Sequence, residues 1–374
     1  MKNSGIGGQA VIEGIMMKNK DLYAIAIRKP DNEIEVTVKE KKDLTTKLKL
    51  TKVPIIRGIF RFIDSLTLGI STLTYSSSFY EEEQEKTKLD KLGEKVFKDK
   101  LESVIIGVTV LMSAVIAIGL FMIFPFFLSR LLSDYIEPKI VLNIIEGAIR
   151  LLLFILYVVL ISQLEDIKRV FMYHGAEHKC INCIENGLKL EVDNVRKSSK
   201  LHKRCGTSFM LFVIVISIIL FIFIKLDNPA MQLLIRVLLV PVIAGISYEI
   251  LKLAGSKENA LTNALSKPGM WLQGLTTKEP TDDMIEVAIA AVEAVFDWKA
   301  FQNEKDEETG EADELDGFEM IDVADTEIEE EQSEDLVFEE TVEDSEDIVE
   351  DKPKRIEDIR TIDEIEEIFE DVAV

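Results

Sequence analysis

Long uncharged runs separated by short charged connections dominate the middle of this chain. Val104–Leu128 holds 25 residues without a charge, enough at 1.5 Å per residue to cross a hydrocarbon core about 30 Å thick. Ile140–Ser162 is a second run, interrupted by Asn143, Glu146 and Arg150. Thr207–Ile224 gives a third, of 18 residues, and Met231–Ala254 a fourth that carries Arg236, Pro241, Glu249 and Lys252. The pattern predicts about four transmembrane helices in a domain covering 101–254.

Outside these runs the period changes. Gln9–Met17 and Leu22–Arg28 are apolar enough for strands, and Ile34, Val36 and Val38 alternate with polar residues, so 1–50 reads as a small β layer. Pro30-Asp31-Asn32-Glu33 marks a turn within it. Gly5, Gly7 and Gly8 precede the first strand, but no Gly-Lys-Ser/Thr and no helical pattern follow, so they do not make a phosphate loop. Val53–Tyr80 is apolar yet contains Arg57, Arg61 and Asp64. We read it as a helix lying on or dipping into the inner leaflet, its arginines at headgroup level, with a fifth span as the alternative. With the charged connector 81–100 it fills 51–100. In 255–302 an interfacial stretch with Pro268, Gly269 and Trp271 leads to an amphipathic helix. Thr281 caps that helix, Asp282 and Asp283 fill its first turn, and Ile285, Ala288, Ile289, Val292, Val295 and Phe296 make its apolar stripe. The fold class is membrane α+β.

Charge divides the chain in two. The whole carries a net −24. From 303 to 374 there are 33 Asp and Glu against 5 Lys and Arg, and the remainder is slightly basic. A tail of that composition cannot bury enough apolar surface to fold alone, so we expect it disordered, a solubilising tail first of all, with docking on a protein partner as the alternative. Ile356, Ile359, Ile362, Ile365 and Ile368 would form a short helix on such a partner. The acidity argues against nucleic acid. The N-terminus has no apolar run of the signal-peptide kind. The connection between spans two and three, 163–206, holds nine Lys and Arg, against three in the two connections on the other side. By the positive-inside rule both termini and that connection face the cytoplasm, in a multi-pass protein of the inner membrane.

That cytoplasmic connection contains all three histidines and all three cysteines, between His174 and Cys205. These residue types supply most transition-metal ligands, and cytoplasmic thiols stay reduced. Two metal readings compete for them. In the first, His174-Gly-Ala-Glu177-His178 is an inverted zincin motif: residues four apart share a helix face, so both imidazoles can hold Zn²⁺ or another divalent metal, with Glu177 beside them as catalytic base. His202 is then the third ligand and Cys205 a fourth or a replacement. In the second, Cys180, Cys183, His202 and Cys205 have zinc-ribbon spacing and would close a structural tetrahedron. An unliganded loop is the bland alternative.

Several stretches bear on the choice: Gly7-Gly8-Gln9-Ala10-Val11-Ile12-Glu13-Gly14-Ile15-Met16-Met17, Tyr173-His-Gly-Ala-Glu-His178-Lys, Leu201-His-Lys-Arg-Cys-Gly-Thr-Ser208 and Gly245-Ile-Ser-Tyr-Glu249. Together they resemble the YqhQ-like bacterial family, domain of unknown function 1385, over roughly residues 5–300. The resemblance implies a metal-dependent membrane enzyme with no assigned substrate. Cys180 stands outside the family pattern, which favours the histidine site: metal on His174, His178, His202 and Cys205, with Glu177 as base. The expected reaction is hydrolysis of a substrate at the membrane surface, with the lipid bilayer as the other partner. The rival from another class is a non-enzymatic scaffold with a structural zinc and a partner-recruiting tail.

Overall fold

The computed structural model describes residues 3–41, 53–80, 101–224, 226, 228–256 and 260–303. The acidic tail and the connector 81–100 lie outside the described residues.

The β layer is a four-stranded antiparallel sheet in the order β1 (Gly7–Val11), β2 (Gly14–Asn19), β3 (Leu22–Arg28), β4 (Ile34–Glu40). Gln9–Met17, expected as one strand, is a hairpin instead. Val11 pairs with Gly14 across a two-residue turn, in which Glu13 takes a left-handed φ of 50°. The run looked continuous because both faces of the sheet are covered, which removes the usual alternation. On one face Ile15, Met17, Ala24 and Ala26 pack against two helices, Glu165–Glu185 and Asp282–Glu293. On the other, Met16, Tyr23, Ile25 and Ile27 pack against Leu68 and Tyr75 of α1 (Ile56–Ser78).

α1 is amphipathic in the inverted sense. Arg61, Asp64, Ser71, Thr72 and Ser76 are buried, while Ile63, Leu66 and Leu73 are exposed. Arg57 pairs with Glu249 at 2.7 Å, and Arg61 is only 3% exposed.

Two described helices are long and apolar enough to cross a membrane, Gly107–Arg130 and Lys139–Ile161. The first begins inside α2 (Leu101–Ile118) and continues through a π turn into α3 (Phe124–Arg130); the second is α4. After α5 (Glu165–Glu185) and the short α6 (Val192–Lys197) comes α7 (Gly206–Ile222), apolar but 17 residues long. α8 (Pro229–Leu238) and α9 (Val240–Ser256) are bent by 43° and make a third candidate span if taken together. Pro241 lies at that break and cannot donate the hydrogen bond a straight helix needs there. α10 (Ala260–Thr276), α11 (Asp282–Glu293) and α12 (Trp298–Asn303) complete the described chain. Thr281 stands at the N-cap of α11 without a side-chain hydrogen bond.

Inside the apolar helices a network centred on Glu146 joins three elements. Glu146 of α4 accepts from Arg150 at 2.8 Å and from Arg236 of α8 at 2.6 Å. Arg150 also donates to Ser217 of α7 at 2.8 Å. Ionisable side chains in an apolar bundle persist when they satisfy each other in this way.

Candidate metal centre

The His-x-x-Glu-His spacing predicts one helix face, and α5 provides it: the helix is unbroken through Gly175. His174 and His178 stack edge to face with ring centroids 4.4 Å apart. Cys205, the N-cap of α7, comes up from the other side, its Sγ 3.2 Å from His174 Nε2. Ligand atoms of His174, His178 and Cys205 all lie within 4.8 Å of one another.

Both rings are held in one orientation by main-chain oxygens. His178 Nδ1 lies 2.7 Å from the Lys200 carbonyl, and His174 Nδ1 lies 3.0 Å from the Thr276 carbonyl. A carbonyl only accepts, so each Nδ1 carries a proton and each neutral ring keeps its lone pair on Nε2, turned toward Cys205. Metal-binding histidines are supported by this kind of bond. Two nitrogens and one sulfur form a donor set that fits Zn²⁺, whose bonds run about 2.0–2.3 Å.

Charge reinforces the arrangement. Burial alone would raise the Cys205 thiol, but His174 and His178 beside it hold it well below the usual thiol range. The reciprocal effect outweighs burial at His178 and pushes that imidazole up to about 9.

Glu177 lies alongside, its Oε2 3.7 Å from His178 Nε2 and 4.0 Å from His174 Nε2. Burial pushes its carboxyl up, and the two histidines and a backbone hydrogen bond from Gly8 only partly offset that. Gly8 must be a glycine for this approach, because a Cβ there would lie 2.9 Å from Glu177 Cγ and 2.8 Å from the Met16 carbonyl.

His202 reaches the same neighbourhood, with its ring 5.6 Å from that of His178. Its Nε2 faces Glu185 at 3.6 Å, however, and it is not among the three donors that converge. Burial lowers its imidazole to about 4, so it is neutral near pH 7. Gln273 of α10 fixes its backbone, accepting from His202 N at 2.9 Å and donating to His202 O at 2.7 Å. Cys180 and Cys183 point elsewhere, into the apolar core between α5, α11 and the sheet. Burial raises both thiols, and the structure does not assemble the ribbon-spaced set.

Sequence reading missed Glu185, Gln273, Gly8 and the two carbonyls. Glu185 is seven residues after His178, hence on nearly the same helix face, and that signal was available. Nothing in the pattern marks Gln273 or the main-chain oxygens. Glu13, in the first of the quoted stretches, reaches α5 and lies 3.3 Å from the Tyr173 hydroxyl, whereas Glu249, in the last, pairs with Arg57. His174, Glu177, His178, His202 and Cys205 line a cavity of about 120 Å³ between α5, α1 and the sheet edge.

A family described as protein of unknown function (DUF1385) matches residues 53–298. An uncharacterized protein, YqhQ, of Bacillus subtilis (strain 168) is 36% identical over 305 residues, covering 80% of this chain and 95% of that protein. The chain belongs to this family. No solved structure matches it.

Proposed function

We propose that this DUF1385 member is a metal-dependent hydrolase at the cytoplasmic face of the inner membrane, with His174, His178 and Cys205 as ligands and Glu177 as general base. The observation that carries the reading is the pair of carbonyl-anchored imidazoles, whose free Nε2 atoms both turn to the Cys205 sulfur. A divalent ion bound there, most simply Zn²⁺, would acidify a water toward neutrality and polarise the bond to be cleaved. Three protein donors leave the open position that such chemistry needs.

The chain's own residues supply the rest. Glu177 Oε2 lies beside both Nε2 atoms, placed to take the proton of the attacking water and return it to the leaving group. His202, neutral and locked by Gln273 and Glu185, walls the cavity without competing for the ion.

The membrane reading rests on the two long apolar helices, the bent pair α8–α9 and the shorter α7. We place four spans here, with the nine-cation connection and both termini in the cytoplasm. The exposed apolar side of α1 fits lipid contact at that face. The scaffold reading keeps one support, since a buried Cys/His set can also hold a structural ion.

Glu177→Gln separates the two readings. The full-length variant should keep one metal per chain by elemental analysis and fail to rescue a deletion strain. Full rescue by this variant would overturn the enzyme reading, and wild-type protein without stoichiometric metal would overturn the site itself.

A further inference from the structure

The cavity over the His/Cys cluster has a strand edge as its floor. Ile6, Gly7, Gly8 and Gln9 line it together with Glu177 and the histidines. β1 is the outermost strand, so β2 covers one of its edges and no described strand pairs with the other. α5 packs on one face of the sheet and α1 on the other, and the open edge lies at the bottom of the trough between them. The cations around it are already engaged. Arg204 pairs with Glu185, and Lys18, Lys41 and Arg61 each have a partner of their own. The lining thus offers bare main chain rather than spare charge, which favours a neutral polar ligand.

Register decides which main-chain groups are available. In an antiparallel sheet each residue turns its N–H and C=O to the same side, and the sides alternate along the strand. Arg28 N donates to the Glu13 carbonyl, so Glu13, Ile15 and Met17 face β3. Gly14, Met16 and Lys18 therefore face β1, opposite Val11, Gln9 and Gly7. Gly8 and Ala10 turn the other way, toward the open edge. The Gly8 N–H meets Glu177 there, and the Ile12 N–H, of the same parity, donates to Ser76 at 3.0 Å. Ala10 is buried whereas Gly8 is exposed. That leaves the Gly8 carbonyl facing the cavity, on the residue whose N–H orients the proposed base. Gly7 adds clearance, since a Cβ there would meet nothing within 4 Å. Glycine within a strand is where another backbone can come close.

We infer that the cavity takes an extended polypeptide segment, laid along the β1 edge between α5 and α1, with one of its N–H groups donating to the Gly8 carbonyl. Open strand edges bind peptides by this kind of main-chain addition. The inference rests on the metal-hydrolase reading and names its substrate: the bond cleaved is a peptide bond. Gly8 then sets the register, because its carbonyl holds the substrate while its N–H holds Glu177. The water oxygen bonds to the substrate's carbonyl carbon and the C–N bond breaks. The water's proton passes through Glu177 to the departing nitrogen, giving a carboxylate and an amine. Successive side chains of the segment point alternately to the α5 wall, at Ile181, and to the α1 wall, at Ser65 and Leu68.

The test uses full-length protein in phosphatidylcholine nanodiscs, with zinc content measured first. Reduced, carboxymethylated α-lactalbumin serves as a permanently unfolded chain, and mass spectrometry locates the cut. Cleavage is expected, and Glu177→Gln should abolish it. A peptide spanning the cut is then N-methylated at one amide at a time. Paired strands lie only about 4.8 Å apart, so methyls facing β1 should slow cleavage about tenfold, the scale of a lost hydrogen bond. The intervening positions should tolerate the change. Gly7→Leu fills the clearance and should slow cleavage about tenfold with zinc content unchanged. Zinc-loaded protein that leaves the unfolded chain intact overturns the inference, as does cleavage indifferent to Gly7→Leu or showing no alternation among the methylated amides. Hydrolysis of p-nitrophenyl acetate by that same protein, lost in Glu177→Gln, leaves the metal-hydrolase reading standing. Protein without stoichiometric zinc overturns both.

Discussion

The carbonyl oxygen of Lys278 occupies the space that a side chain on Gly175 would need, 2.0 Å from where a Cβ would stand. The same segment is tied to α5 by Lys278 N donating to the Phe171 carbonyl at 2.8 Å, and two residues earlier the Thr276 carbonyl takes the His174 Nδ1 proton. The glycine inside the motif therefore lets a neighbouring backbone dock and set the tautomer of a proposed ligand.

Gly175→Ala tests that link. In an isolated helix the change would stabilise by about 1 kcal/mol. Here it should displace the 276–278 segment and loosen His174. Losing such a supporting bond typically weakens metal binding about 10–100-fold. Chelator competition on purified protein measures this, and an alanine variant that binds zinc as tightly as the parent would refute the coupling.

Much of the architecture was legible because it follows from periodicity. The β layer, the long apolar helices and the α5 motif face all came from spacing that backbone geometry fixes. The β1–β2 turn at Ile12-Glu13 was hidden, since burial on both sheet faces leaves no alternation to interrupt. The convergence of His174, His178 and Cys205, with Glu177 alongside, was legible from residue types with restricted uses, whereas His202, expected with them, faces Glu185. Its supports were not: a main-chain carbonyl such as Lys200's has no letter in the sequence, and Gln273 matters only because α10 folds back over His202. The need for a glycine at 175 is equally hidden, because the Lys278 carbonyl that imposes it lies about a hundred residues away.

The ligand assignment makes a graded prediction. Cys205→Ser and His178→Ala each remove a converging donor and should abolish stoichiometric zinc. His202→Ala removes a ring whose Nε2 faces Glu185, so it should keep the metal, weakened by no more than the roughly 10–100-fold worth of a supporting contact. Elemental analysis of the three variants decides this. Loss of zinc in His202→Ala would restore His202 to the ligand set.

Glu185 gives the fold a pH dependence of known sign. Burial alone would raise its carboxyl, but His202 and Arg204 draw it down from 4.5 to about 2. Because the folded value lies below the unfolded one, the stabilisation is fully present above pH ~4.5 and is lost as pH falls toward ~2. A shift of that size is worth roughly 3 kcal/mol. Thermal melts across this window should show the loss. Glu185→Gln should melt lower near pH 7, with Arg204 left unpaired, and should show a flatter acid limb. Identical acid limbs for both proteins would remove Glu185 from the account.

The bridge among the apolar helices predicts an unequal response to removing its members. Glu146 holds both Arg150 and Arg236, so Glu146→Gln strands two buried cations, whereas Arg150→Met leaves the Glu146–Arg236 pair intact. Breaking a buried pair by removing one partner costs about 3–5 kcal/mol, and Glu146→Gln should reach or exceed that range. Arg150→Met should cost less, because Met keeps much of the packing and the remaining pair stays neutral. Unfolding of the full chain in a fixed lipid–detergent mixture compares them. Equal losses would mean that the carboxylate does not join the helices as a shared counter-ion. Zinc content should be unchanged in both variants, since neither residue lines the His/Cys cavity.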